Sequence, residues 1–138
     1  MDDVDLVIHL GDYIYEYEAG RYADTTLVDR SHKPENEIVS LDDYRTRYAQ
    51  YRSDTDLQKA HAKFPFLFIW DDHEFANDAY AKGAKNHDST EGSWKTRQNS
   101  AIQAYKEWLP IAISPEKNPP TQLQIGQLID LILLEERA

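Results

Sequence analysis

The sequence predicts an α/β fold in which short buried strands alternate with helices and a C-terminal hairpin follows. Three observations carry that expectation. Two apolar, β-forming runs, Val4 to Leu10 and Phe66 to Trp70, each stop abruptly at polar residues. Aromatic and aliphatic residues recur at helical spacing in the stretches between and after them. A third apolar run, Leu128 to Leu134, follows a two-residue turn signal at Gly126-Gln127.

Val4 to Leu10 reads as a buried, central, parallel strand because both its faces are apolar. Gly11-Asp12 then opens a loop at the strand's carboxyl end, where open α/β sheets bind their ligands. Gly20 to Val39 has no sustained period and carries Pro34 and several turn formers, so it reads as a long surface excursion. Ser40 with Asp43 forms a capping box at the start of a helix whose Leu41, Tyr44, Tyr48 and Tyr51 share one face. A shorter helix follows, capped by Asp54 or Asp56, with Leu57, Ala60 and Phe64 inward and Pro65 ending it.

Phe66 to Trp70 reads as a second buried strand that ends in Asp71-Asp72-His73-Glu74. A polar loop from Gly83 to Gly92 leads to a third helix, about Ser93 to Leu109, with Trp94, Ala101, Ile102, Tyr105, Trp108 and Leu109 on one face. Pro110 stops it. Ser114 to Pro120 is a connector. Thr121 to Ile125 and Leu128 to Leu134 then read as a hairpin delivering a buried strand into the sheet.

Composition narrows the chemistry. The chain has 138 residues, 41% of them hydrophobic, which suits a single globular domain with a modest core. Its net charge of −10 repels nucleic-acid phosphates and gives no footprint for a DNA or RNA binder. It has no cysteine, which excludes disulfides, thiolate nucleophiles and zinc-finger sites. No apolar run approaches the ~20 residues that cross a bilayer, and no signal peptide is visible.

Both strands end in groups that suit metal ions. Asp12 offers a hard oxygen donor after a glycine that lets the backbone turn tightly. Tyr15 lies three residues on, where a phenolate could bind a hard trivalent cation such as Fe(III). Asp71 and Asp72 add two carboxylates, and His73 a ligand or proton donor at near-neutral pH. Neighbouring strands would bring Asp12 and Asp72 to one sheet edge, where a carboxylate could serve two cations about 3.5–4 Å apart. The bland alternatives are a turn at Gly11-Asp12 and a polar loop at 71–74 whose acids cap the next segment. A glycosidase pair is poorly supported, since adjacent Asp71 and Asp72 diverge from one strand end. His9, on the first strand, reads as a satisfied core or supporting residue, and His32, His61 and His87 as solvated surface.

Gly11-Asp12-Tyr13-Ile14-Tyr15-Glu16-Tyr17, Leu41-Asp42-Asp43-Tyr44-Arg45 and Trp70-Asp71-Asp72-His73-Glu74 resemble the PhoD-like alkaline phosphatase/phosphodiesterase family of calcineurin-like metallophosphoesterases. So do Arg97-Gln98-Asn99-Ser100-Ala101 and Glu107-Trp108-Leu109-Pro110, in family order along nearly the whole chain. The resemblance implies a partial α/β/β/α sandwich over residues 1–138, as one domain truncated at both ends. It also implies hydrolysis of phosphate mono- or diesters, with small-molecule, phospholipid-type or nucleotide-type substrates and an exported or cell-envelope parent.

By the same resemblance, Asp12 would bridge two metals, Tyr15 would bind iron and Asp72 the second metal, while His73 would protonate or stabilise the leaving oxygen. Asp71, Asn77 and Arg97 are candidates for phosphate-side or supporting roles. The implied cofactors are Fe³⁺ with Ca²⁺, and alternatively Mn²⁺ or Zn²⁺. Ligands from upstream and downstream segments would be missing, so half a site is expected, with unpaired sheet edges inviting self-association. The competing expectation is a non-catalytic fragment that binds metal or serves as an interaction module.

Overall fold

The computed structural model describes residues 4–21, 30–111, 122–134 and 137. The connector at 114–120 and part of the excursion at 20–39 lie outside the described residues. Where that excursion is described, it carries no helix or strand.

The first strand, β1 (Val7–His9), pairs in parallel with β2 (Phe66–Phe68), in the register Val7 to Phe66 and His9 to Phe68. Between them lie helices α1 (Leu41–Arg52) and α2 (Thr55–Lys63), the crossover that a parallel pair requires. The capping box that starts α1 forms as its sequence requires: the Asp43 amide donates to Ser40 Oγ at 3.2 Å, and the Ser40 amide donates to Asp43 Oδ2 at 2.9 Å. Tyr44 and Tyr48 are buried on the inner face of α1, flanking Arg47, which is buried as well. Asp54 caps α2 by accepting the amides of Asp56 and Leu57. Its face packs only partly, with Leu57, Ala60 and Phe64 half-buried.

After β2 come a 3₁₀ turn (Asp72–Glu74), a second one (Ser89–Glu91) and the longest helix, α3 (Trp94–Trp108). Ser93 caps α3, which packs on α1 and buries Ala101, Ala104 and Tyr105, the last against Trp70. Outside that seam, Arg45 grips Glu107 with two bonds of 2.7 and 2.8 Å. The core is aromatic: Tyr13, Tyr44, Tyr48, Phe68, Trp70, Phe75 and Tyr105 gather between the strand pair and the two helices, closed by Ile14, Ile38 and Leu109.

Two expectations about the strands are corrected. The first strand is shorter than Val4 to Leu10 and is not buried on both faces: Ile8 is 40% exposed and Leu10 73%. A single parallel pair covers one edge of β1 and one face; its other face has no cover among the described residues. The hairpin, β3 (Gln122–Ile125) with β4 (Ile129–Ile132), forms antiparallel but as its own two-stranded sheet, and its turn takes three residues, Gly126 to Leu128, so Ile125 pairs with Ile129 rather than with Leu128 as a two-residue turn would require. It does not join the parallel pair. β4 is accordingly not a buried strand, since Ile132 is 62% exposed and Leu133 alone in that run is buried.

Replacing Ser40 by alanine removes one half of the α1 capping box and should lower unfolding stability by about 1 kcal/mol, read from urea denaturation. An unchanged midpoint would mean that α3 packing alone fixes that helix start.

Candidate metal centre

The site begins at Gly11. Its φ of +100° and that of Asp12 at +55° are both left-handed, which turns the chain sharply out of β1. A Cβ on Gly11 would stand 2.4 Å from the Asp71 amide nitrogen and 2.6 Å from Asp71 Cβ. Only glycine lets the two strand-end loops touch at this point.

The second loop is built by reciprocal capping. Asp71 Oδ1 accepts the Asp72 amide at 2.8 Å, and Glu74 Oε2 accepts the Asp71 amide at 2.7 Å. The capping reading of 71–74 is therefore correct, and it coexists with a ligand cluster. Glu74 also reaches across to the first loop, where its Oε2 accepts the Asp12 amide at 2.9 Å and its Oε1 accepts the Tyr13 amide. Burial pushes the Glu74 carboxyl up to about 7 against these amide bonds, so above neutral pH it is an ionised clamp.

Clamped in this way, Asp12, Asp72 and His73 each present a donor atom within 4.8 Å of the others. Asp72 Oδ2 is oriented by the Asp78 amide at 2.5 Å. Asp12 Oδ1 is buried and has no hydrogen-bond partner among the described residues. An orphaned buried carboxylate oxygen is costly unless a cation meets it, so the donor set fits a hard metal ion. Burial raises the Asp12 pKa, His73 opposes that, and the Asp71 and Asp72 charges add to it; a cation would reverse the sum. Tyr15 stands beside the cluster, its hydroxyl 3.5 Å from Asp12 Oδ2 and its ring 4.5 Å from that of His73.

His73 Nδ1 lies 2.7 Å from Glu16 Oε2. Burial disfavours charge on the imidazole, but the Glu16 bond and charge outweigh it, with Asp72 and Asp12 adding, and the net pKa is raised. Burial likewise opposes the Glu16 charge, yet its bonds to His73 and to backbone amides leave its pKa lowered.

The family model described as PhoD-like phosphatase matches residues 1–138. The chain belongs to the PhoD-like phosphatase family. Alkaline phosphatase D of Bacillus subtilis (strain 168) is 46% identical over 119 residues, which cover 86% of this chain and 20% of that protein. A solved structure of PhoD matches with a TM-score of 0.84 at 41% identity, over 99% of this chain and 27% of that one. The chain thus spans about a fifth of the length of the first relative and about a quarter of the second. Its fold is that of the corresponding part of PhoD, and its lineage is that of a phosphatase. Among the described residues, no helix is long and apolar enough to cross a membrane.

The remaining candidates of this PhoD-like segment lie outside the cluster. Asp71 forms an ion pair with Arg137 at 2.7 Å. Asn77 donates its backbone amide to Glu16 at 2.6 Å and its side chain to Asp78 at 3.2 Å. Arg97 is wholly buried, with Nη2 2.8 Å from Glu37 and Nη1 3.1 Å from Glu91, so its guanidinium faces protein and not an open site. The histidine expectations need correction too. His9 Nδ1 is buried without a partner among the described residues, so His9 is not satisfied. His32, His61 and His87 are half-buried with partners rather than free at the surface: they meet Tyr17 and Tyr51, Tyr13, and Glu91 respectively.

Sequence reasoning gave Glu74 no more than a local capping role and assigned none to Glu16 or Arg47. Arg47 donates to the carbonyls of Tyr15, Lys33 and Pro34 and so holds the Tyr15 loop onto α1. The signal for it was present, since Arg47 falls on the same helical face as Tyr44, Tyr48 and Tyr51.

Two outcomes are expected. Gly11→Ala should destabilise the chain on the order of 3 kcal/mol, from the positive φ and the clash with Asp71, read by chemical denaturation. Glu16 stabilises above pH 4.5, and this is lost as pH falls through its lowered folded value; His73 stabilises below pH 6.5, and this is lost as pH rises through its raised folded value. In chelator, Glu16→Gln should therefore cost on the order of 2 kcal/mol near pH 5.5 and clearly less near pH 9. An equal cost at both pH values would contradict the pairing.

Proposed function

We propose that this chain carries one part of a metal-dependent phosphoesterase site that hydrolyses phosphate mono- or diesters. The observation that supports it best is the convergence of Asp12, Asp72 and His73 at the ends of two paired strands, with a buried Asp12 oxygen left for a cation. Asp12 would bridge two metals, Tyr15 would bind the iron and Asp72 the second ion. Fe³⁺ with Ca²⁺ suits this oxygen-rich donor set, with Mn²⁺ or Zn²⁺ as alternatives. Bound cations would neutralise charge on the phosphate oxygens and acidify the attacking water.

This chain's own residues account for the rest. Glu16 holds His73 through Nδ1, which leaves Nε2 as the nitrogen suited to proton transfer with the leaving oxygen. The Glu74 clamp fixes the separation of the two loops, so the ligands need no rearrangement to receive an ion. The substrate is a small-molecule phosphoester of phospholipid or nucleotide type, and the parent protein is exported or held at the cell envelope. Residues 1–138 form one part of a larger domain, and the exposed apolar faces of β1 and β4 favour self-association in its absence.

A second reading is favoured by the short span relative to the PhoD relatives: a chain that binds metal without turnover. The experiment is hydrolysis of a chromogenic phosphodiester with added Ca²⁺ and Fe³⁺, beside Asp12→Ala and His73→Ala, with metal content measured after dialysis. Activity that falls by about 10²–10⁴ in His73→Ala, with metal retained, supports the enzyme. Metal retained without turnover supports the second reading. Neither metal nor turnover contradicts both.

A further inference from the structure

A polar chain, buried at Glu16, Arg97 and Tyr44 and half-buried at Asn86 and Glu37, runs from the cluster to α3. Glu16 Oε2 meets His73, while its Oε1 accepts the Asn77 amide at 2.6 Å and Asn86 Nδ2 at 2.7 Å. The same Asn86 nitrogen donates its second hydrogen to Glu37 Oε1 at 3.0 Å. Glu37 in turn is held by Arg97 Nη2 at 2.8 Å, and Arg97 Nε donates to the Tyr44 hydroxyl at 3.2 Å. That hydroxyl donates to the carbonyl of Phe75, two residues after His73, so the chain closes on the turn where it began.

Asn86 is the one neutral member between two carboxylates, the buried Glu16 and the half-buried Glu37. A side-chain amide nitrogen has two hydrogens and can satisfy both at once. The flipped amide would set its oxygen against both carboxylates. Asn86 Oδ1 has no partner among the described residues, so the carboxylates alone set the orientation. With two donors on Oε1, the Glu16 carboxylate cannot turn, and Oε2 stays on His73 Nδ1.

We propose that Asn86 is a positioning residue that, through Glu16, holds His73 as its Nδ1–H tautomer with Nε2 presented to the reacting oxygen. The catalytic consequence rests on the phosphoesterase reading; the tautomer does not.

The test is long-range ¹H–¹⁵N correlation on the 138-residue chain in chelator at about pH 9.5, comparing wild type with Asn86→Ala and Asn86→Asp. In the wild type, His73 should show one protonated-type nitrogen, Nδ1, and one unprotonated-type, Nε2. In both variants the two resonances should converge toward averaged positions. Where turnover is measurable, kcat should fall on the order of ten- to a hundredfold with KM nearly unchanged. Folded variants whose His73 nitrogens match wild type would overturn the proposal, including variants that merely lose stability. If neither variant folds, the wild-type side-chain amide of Asn86 decides. Its exchange should be slower than that of exposed Asn99 by on the order of a hundredfold, and equal rates would overturn the proposal. A chain without any turnover leaves the nitrogen readout intact, so failure of the phosphoesterase reading is distinguishable.

Discussion

The site depends on one carboxylate that belongs to no ligand set. Glu74 accepts the amides of Asp12, Tyr13 and Asp71, which sit on two loops more than fifty residues apart in sequence. β1 and β2 are only three residues each, too short to fix the loops beyond them by strand pairing alone. The clamp supplies what the ladder cannot, and Gly11 makes it feasible by letting the loops touch. Its chemical cost is a buried acid, offset by the amide donors it accepts.

Around that clamp, two buried arginines do for irregular backbone what ladders do for strands. A segment without helix or sheet must find partners for its carbonyls, and Arg47 provides three of them for the residues near Tyr15 and Pro34. Arg97 provides a second hub, joining Glu37, Glu91 and Tyr44 behind the Glu16–His73 pair. Polar loops are thereby pinned to α1 and α3, and the side chains of the Asp12, Asp72 and His73 cluster inherit the rigidity of helices. The acidic cluster in front is left with a surplus of oxygen donors, which is the electrostatic condition for a hard cation.

Much of this was legible in sequence. Ser40 and Asp43 announced the start of α1, and the runs ending at Gly11-Asp12 and Asp71-Asp72-His73 announced two strand ends with groups that could hold a metal ion. The hairpin was legible from Gly126, but its register was not, because the turn takes three residues instead of two. What was not legible depended on partners far along the chain. Glu74 looks like a local cap and Glu16 like an ordinary surface acid until the parallel pairing brings them to Asp12 and His73. For Arg97 the sequence leaves a phosphate-side and a supporting role open, and its burial against Glu37 and Tyr44 favours the supporting one. The burial of β1 and β4 was misread because an apolar run says what a strand could cover, not what covers it.

The most direct test is anomalous diffraction from crystals of this chain grown with Mn²⁺, recorded at the manganese edge. A peak between the Asp12 and Asp72 carboxylates, with Asp12 Oδ1 as a ligand, is the predicted result. A map without a peak there at saturating Mn²⁺, or a peak only at exposed acids such as Asp42 and Glu107, would contradict it.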